Sequence, residues 1–138
     1  MQFSKILFAL AATASAAPLA AREPDWIIQG LSRTCDAQDT SCTWNFSIND
    51  QQSEPTGCVY EVHAAGGQPA SRSNGGPVTC GPYTVTSGWS GQFGEGAGFT
   101  TFAVHDYARN EIGYPAFTDS EVAAGNVPDK AFHVEKTN

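Results

Sequence analysis

His63, His105 and His133, with the carboxylates beside them, are the side chains of this sequence best suited to proton transfer. Glu61 and His63 stand two apart, a spacing that puts both on one face of a strand, and His105-Asp106 with Glu111 offers a second acid/base group. Small secreted ribonucleases use Glu, His and Arg on a β-sheet, so a small secreted hydrolase of ribonuclease type is one reading. Against it, Arg33, Arg72 and Arg109 are scattered and form no cluster for capturing phosphate. The histidines show no HxH or HExxH spacing, and lone histidines on outward strand positions are more often solvated than metal-bound. Gly88-Trp89-Ser90-Gly91 is one residue short of GxSxG and lacks the strand-to-helix turn which that motif requires. Gly94, Gly96 and Gly98 precede no Gly-Lys-Ser/Thr and open no helix, so they are not a phosphate cradle. The residues therefore predict no catalytic centre, no metal and no cofactor.

The remaining chemistry is covalent and contact chemistry. Cys35, Cys42, Cys58 and Cys80 have neither CxxC nor Cys/His ligand spacing, and four cysteines in an exported chain most simply form two disulfides. Of three possible connectivities, Cys35 with Cys42 and Cys58 with Cys80 is expected, because each pair brackets a turn or loop between strands. Asn45-Phe46-Ser47 is an acceptor sequon for N-glycosylation, with Asn45 on the polar face of its strand. Trp89 and Phe93 lie in a glycine-rich stretch. They have two readings: core plugs under the sheet edge, or a contact loop for a sugar, a lipid or a receptor.

The elements that must position these residues are mostly strands. Cys42, Trp44, Phe46 and Ile48 alternate with Thr43, Asn45, Ser47 and Asn49, a period of two that collects the aromatics on one face. Trp26 to Arg33, Cys58 to Ala64, Val78 to Thr86, Phe99 to His105, Glu111 to Tyr114 and Ala131 to Glu135 read as further strands, with the Phe99 and Glu111 runs paired as a hairpin. Residues 66–77 are rich in Gly, Ser and Pro; they are expected to be a mobile surface loop that builds no core. Thr118-Asp119-Ser120-Glu121 is a capping box and Gly125 a left-handed stop, which predicts one short helix over about 119–124. The fold class is all-β, a small antiparallel barrel or sandwich of six to seven short strands with one short helix near the C-terminus and two disulfides.

Residues 1–17 read as a signal peptide. Lys5 supplies the positive end, Ile6 to Ala12 the apolar run, and Ala14-Ser15-Ala16 the small-residue cleavage pattern, with cleavage after Ala16 or Ala17. This run is too short to span a membrane, which needs roughly 20 apolar residues. Residues 18–25 read as a flexible N-terminal arm, and 26–138 as a single stapled β domain. Removing the leader leaves six Lys and Arg against fourteen Asp and Glu, a formal net charge of −8. Such a surface repels phosphate backbones and anionic lipid, so neither nucleic-acid binding nor stable membrane insertion is expected. The sequence does not choose between a monomer and a homodimer.

Trp26 to Cys35, Cys42-Thr43-Trp44-Asn45-Phe46-Ser47-Ile48, Cys58-Val59-Tyr60-Glu61-Val62 and Gly98 to Phe102, together with the order of the cysteines, resemble the small secreted proteins of filamentous fungi known as hypersensitive-response-inducing elicitors, of the rice-blast type. The resemblance spans about 26–135. It implies a β-barrel-like fold with two disulfides, export by a fungus, and perception by plant tissue that answers with defence or cell death, with no catalytic residues. Its implied partner is a plant surface receptor. A carbohydrate- or cell-wall-binding module, using Trp89 and Phe93 on a wall polysaccharide, is the alternative.

Overall fold

A computed structural model of the chain describes residues 24–137. The predicted leader over 1–17 and residues 18–23 of the predicted arm lie outside the described residues. Two antiparallel sheets face each other across one aromatic core. The first has the order β3-β2-β1-β9, from β1 (Trp26–Cys35), β2 (Ser41–Asn49), β3 (Thr56–His63) and β9 (Lys130–Phe132). The second has the order β10-β7-β6-β5-β4, from β4 (Gly75–Cys80), β5 (Tyr83–Ser90), β6 (Phe99–Asp106), β7 (Glu111–Gly113) and β10 (Val134–Lys136). β8 (Ala116–Thr118) pairs with the start of β6 and leads into helix α1 (Asp119–Ala123).

The architecture is a sandwich, not a closed barrel, because among the described residues no hydrogen-bond ladder joins the sheets. Covalent links hold both of its open corners. At one, β9 and β10 end opposite sheets and are separated in the chain by His133 alone. At the other, the edge strands β3 and β4 are joined by the Cys58–Cys80 disulfide. The second disulfide, Cys35–Cys42, joins directly opposed residues of the β1–β2 hairpin. Both expected pairings are present.

Alternation in β2 decides what fills the core. Trp44, Phe46 and Ile48 point inward, and Phe102 from the facing sheet meets three rings of the first sheet. Its centroid is 5.0 Å from that of Trp44, 5.5 Å from Phe46 and 5.6 Å from Tyr60, with Phe117 at 6.2 Å on its own side. Edge-on and tilted pairs of this kind are worth about 0.5–1.5 kcal/mol each beyond the area they bury.

Among the described residues ten strands replace the six or seven expected, because two runs read as single strands are broken and β8 (Ala116–Thr118) was not anticipated. Val78 to Thr86 turns back on itself at Gly81-Pro82, so that Cys80 pairs with Tyr83. The C-terminal run changes sheet at His133. In β1 the inward phase shifts at a bulge between Gln29 and Ser32, where Gly30 adopts φ 62°. The N–H of Gly30 is donated to Asp129 Oδ1 at 3.1 Å, and Leu31 is buried in place of Gly30.

The segment 66–77 corrects the expectation of a loop that builds no core. Ala70 is 2% exposed at the start of a 3-10 turn over Ala70–Arg72, and Ser73 is also buried. Asp39, in the β1–β2 turn, accepts the Ala70 N–H on its carbonyl at 2.8 Å and the Ser71 N–H on Oδ1 at 2.9 Å. Its residues 75–77 join β4, where Gly75 and Gly76 lie so close to Tyr60 and Val85 that a Cβ would stand 2.6–2.9 Å from their atoms. Glycine there permits β4 to pack beside β3. The predicted helix is present, with Thr118 Oγ1 accepting the Glu121 N–H at 3.2 Å and the Glu121 carboxylate accepting the Thr118 N–H at 2.8 Å.

Candidate functional site

The glycine-rich segment after β5 folds around one indole. Trp89 sits near the end of β5, donates its indole N–H to Asp119 Oδ2 at 2.9 Å, and receives the Arg72 guanidinium over its ring at 5.1 Å. A Cβ at Gly91 would stand 2.6 Å from the indole, and one at Gly98 would stand 2.5 Å from the indole and 2.7 Å from Asp119 Oδ2. These two positions carry no side chain because the ring occupies that space. The backbone of Trp89 is held as well, its N–H donated to Asn74 Oδ1 at 3.1 Å.

Two hollows meet at the Arg72–Trp89 stack. One of about 470 Å³ is lined by Gly91, Gly94, Glu95, Gly96, Gly98, Asp119 and Ser120, and the other of about 380 Å³ by Gln68, Ser73 and Asn74. Arg72 faces Glu95 at 3.3 Å through both terminal nitrogens. That hydrogen bond and the guanidinium charge hold the Glu95 carboxyl below its usual range. Arg33 approaches Asp119 at 3.7 Å from the core side and stacks over Trp44. The groove thus carries a planar cation, two carboxylates, an aromatic ring and the carboxamides of Gln68 and Asn74, a lining suited to polar, uncharged or zwitterionic groups.

The two contact-loop residues part company. Trp89 is partly buried as the wall of the groove, while Phe93 is 70% exposed and stacks on Phe99 at 5.9 Å. Sequence reading found Trp89 but missed Arg72 and Asp119, which reach it from the 3-10 turn and from α1. No local pattern marks such a contact.

The histidines are not brought together as one centre. His63 meets Glu61 at 3.3 Å on the outer face of β3, with both side chains more than half exposed, so no enclosed environment surrounds this acid/base pair. His105 packs on Tyr107, and His133 faces Asp25 at 3.8 Å between β9 and β10. Asp106 and Glu111 face away from His105 and converge instead with Asp50 on Arg109. The guanidinium lies 2.8 Å from Asp106, 3.1 Å from Asp50 and 3.5 Å from Glu111, and all three acids are buried. Burial alone would push the Asp50 carboxyl up, but N–H bonds from Gln52 and Ser53 and the Arg109 charge bring it below its usual range. Beside them, burial and the Asp50 charge push the Tyr83 hydroxyl up to about 12. This cluster anchors the 106–111 turn. Each arginine of the described residues is thus spent on its own acids and its own tryptophan: Arg33 on Trp44, Arg72 on Trp89, Arg109 on Trp26. Cys35, Asp39 and Cys42 come within metal-ligand reach of one another, but the two sulfurs are bonded to each other and offer no thiolate.

No helix among the described residues is long and apolar enough to cross a membrane. A family profile described as Effector TSP1 matches residues 27–137, which contain all of both sheets but Trp26, the first residue of β1, and the whole groove. Effector TSP1 of Hypocrea virens (strain Gv29-8 / FGSC 10586) is 49% identical over 136 residues, an alignment that covers 92% of this chain and 91% of that protein. The residues that resemble the fungal elicitors fall almost wholly within the matched region. On this profile match and this identity, the chain belongs to the Effector TSP1 family.

Proposed function

We propose that the protein is a fungal effector, exported through its N-terminal leader and perceived by a surface receptor of plant tissue, which answers with a defence or hypersensitive response. The observation that carries this reading is the family match across the whole stapled domain. The two disulfides agree with it, since such bonds persist in an oxidising exterior. The action is recognition, not catalysis. The buried carboxylates are engaged by Arg109, and the Glu61–His63 pair lies open to solvent. Infiltrating leaves with the purified mature domain tests the proposal. Ion leakage or an oxidative burst above the buffer control is expected, and tissue that ignores the protein while responding to a reference elicitor contradicts it.

A second reading is supported by the groove. Trp89, Arg72, Asp119, Asn74 and Gln68 border two adjoining hollows, a length and polarity that suit a few units of a neutral wall polysaccharide. Retention on insoluble chitin or glucan, weakened by Trp89→Ala, is the expected sign. Equal recovery of both proteins in the unbound fraction contradicts it.

A further inference from the structure

Asn45 is exposed in the middle of β2 on the outer face of the first sheet, and it begins the sequence's one Asn-x-Ser/Thr triplet. We propose that Asn45 carries an N-linked glycan that covers this face. The inference rests on the export proposed above, because the modification occurs in the secretory compartment.

The surroundings of Asn45 are built of small groups. Across the ladder it faces Ser32 on β1 and Val59 on β3, while Ser47, the third sequon residue, faces Gln29 and Gly57. With Gly30, all of these residues except Ser32 line a hollow of about 330 Å³. A Cβ at Gly30 or Gly57 would meet nothing within 4 Å, so open space flanks the asparagine on both sides. The carboxamide itself is free. The Oδ1 atoms of Asn49 and Asn74 accept backbone N–H bonds at 2.8 and 3.1 Å, whereas the Asn45 side chain makes no hydrogen bond among the described residues. Asn45 therefore has no conformational task that a glycan would disturb. Val59, directly opposite, is 65% exposed, an apolar side chain on a polar face. The C–H face of a first N-acetylglucosamine would rest against it.

The transfer joins C1 of that sugar, delivered from a lipid-pyrophosphate oligosaccharide, to Nδ2 of Asn45. The amide loses one proton and the lipid pyrophosphate leaves. It takes place on the extended chain, before β2 is paired on both sides. The hollow around Asn45 shares no lining residue with the groove at Trp89, so the glycan leaves that groove open.

The test is secretion of the full chain from a yeast or filamentous fungus, followed by mass analysis of the Asn45 peptide before and after glycosidase. We expect a hexosamine-based glycan on Asn45, its enzymatic release converting Asn45 to aspartate. It should persist in Ser47→Thr and vanish in both Ser47→Ala and Asn45→Gln. Secreted, two-disulfide protein whose Asn45 is wholly unmodified overturns the glycan and leaves the export reading standing. A chain that never reaches the medium and keeps its leader overturns both.

Discussion

The indole nitrogen of Trp89 lies 2.9 Å from Oδ2 of Asp119, thirty residues further along the chain, and this bond ties the end of β5 to the start of α1. Arg72 stacks on the same ring and Arg33 approaches the same carboxylate, so the pair organises the groove from beneath. Removing the acceptor should loosen the ring. Asp119→Ala is expected to cost about 1–2 kcal/mol, and to move Trp89 emission to the red in the folded protein. Urea unfolding followed by fluorescence checks both effects, and an unchanged midpoint would show that the bond is not formed in solution.

Glycines of this protein should separate into two classes on substitution. A Cβ at Gly113 would stand 2.5 Å from the Phe132 ring and 2.8 Å from the His133 carbonyl, at the corner where the chain passes between sheets. Gly113→Ala should therefore destabilise by about 1–3 kcal/mol through overpacking. Gly57→Ala meets nothing within 4 Å and should stay within about 0.5 kcal/mol of the parent. Thermal melts of the two variants decide the matter.

Acid should unfold the protein through the Arg109 cluster. The Asp50 carboxyl has a folded pKa below its ordinary value near 3.8, so the folded state binds its proton less readily than the unfolded chain does. Its contribution is complete above the unfolded pKa and is lost as pH falls through the folded one. The urea midpoint should hold on acidification until the unfolded carboxyl begins to titrate, then decline. Arg109→Met leaves Asp50 and Asp106 buried without their cation and Glu111 with Lys136 alone at 3.4 Å, and should cost about 3–5 kcal/mol at neutral pH. A variant as stable as the parent at neutral pH would contradict this assignment.

The disulfides should contribute unequally. Cys58–Cys80 closes a sequence separation of 22 and Cys35–Cys42 one of 7, so the chain-entropy model assigns about 3.4 and about 2.5 kcal/mol. Cys58–Cys80 also holds the corner between β3 and β4, where no hydrogen-bond ladder exists. The Cys58→Ala/Cys80→Ala double variant should melt lower than Cys35→Ala/Cys42→Ala, and the reverse order by calorimetry would refute the corner role.

Alternation made β2 legible, because four apolar residues at a spacing of two can share a face only on a strand. The capping box of α1 was legible for a similar reason: Thr118 and Glu121 bond to each other's backbone within one turn. Most of what escaped was non-local. The turn at Gly81-Pro82 is the exception, a local Gly-Pro signal read through because β-forming residues flank it on both sides. The shift of phase at Gly30 depends on Asp129, ninety-nine residues away, accepting the freed N–H. Ala70 is buried because Asp39 draws its segment onto the β1–β2 turn, and a Gly- and Ser-rich composition does not announce that. The groove was half visible. Trp89 stood out in its glycine-rich setting, but Arg72 and Asp119 become its partners only after three distant segments pack together.

Leaf infiltration with three forms of the secreted protein tests the account most directly: native, reduced and alkylated, and Trp89→Ala with its disulfides intact. Recognition of a folded surface predicts ion leakage from the native form and none above buffer from the alkylated chain, with the variant showing whether the groove belongs to the recognised face. A response of equal size to the alkylated chain, or no response to the native one beside a reactive reference elicitor, would contradict it.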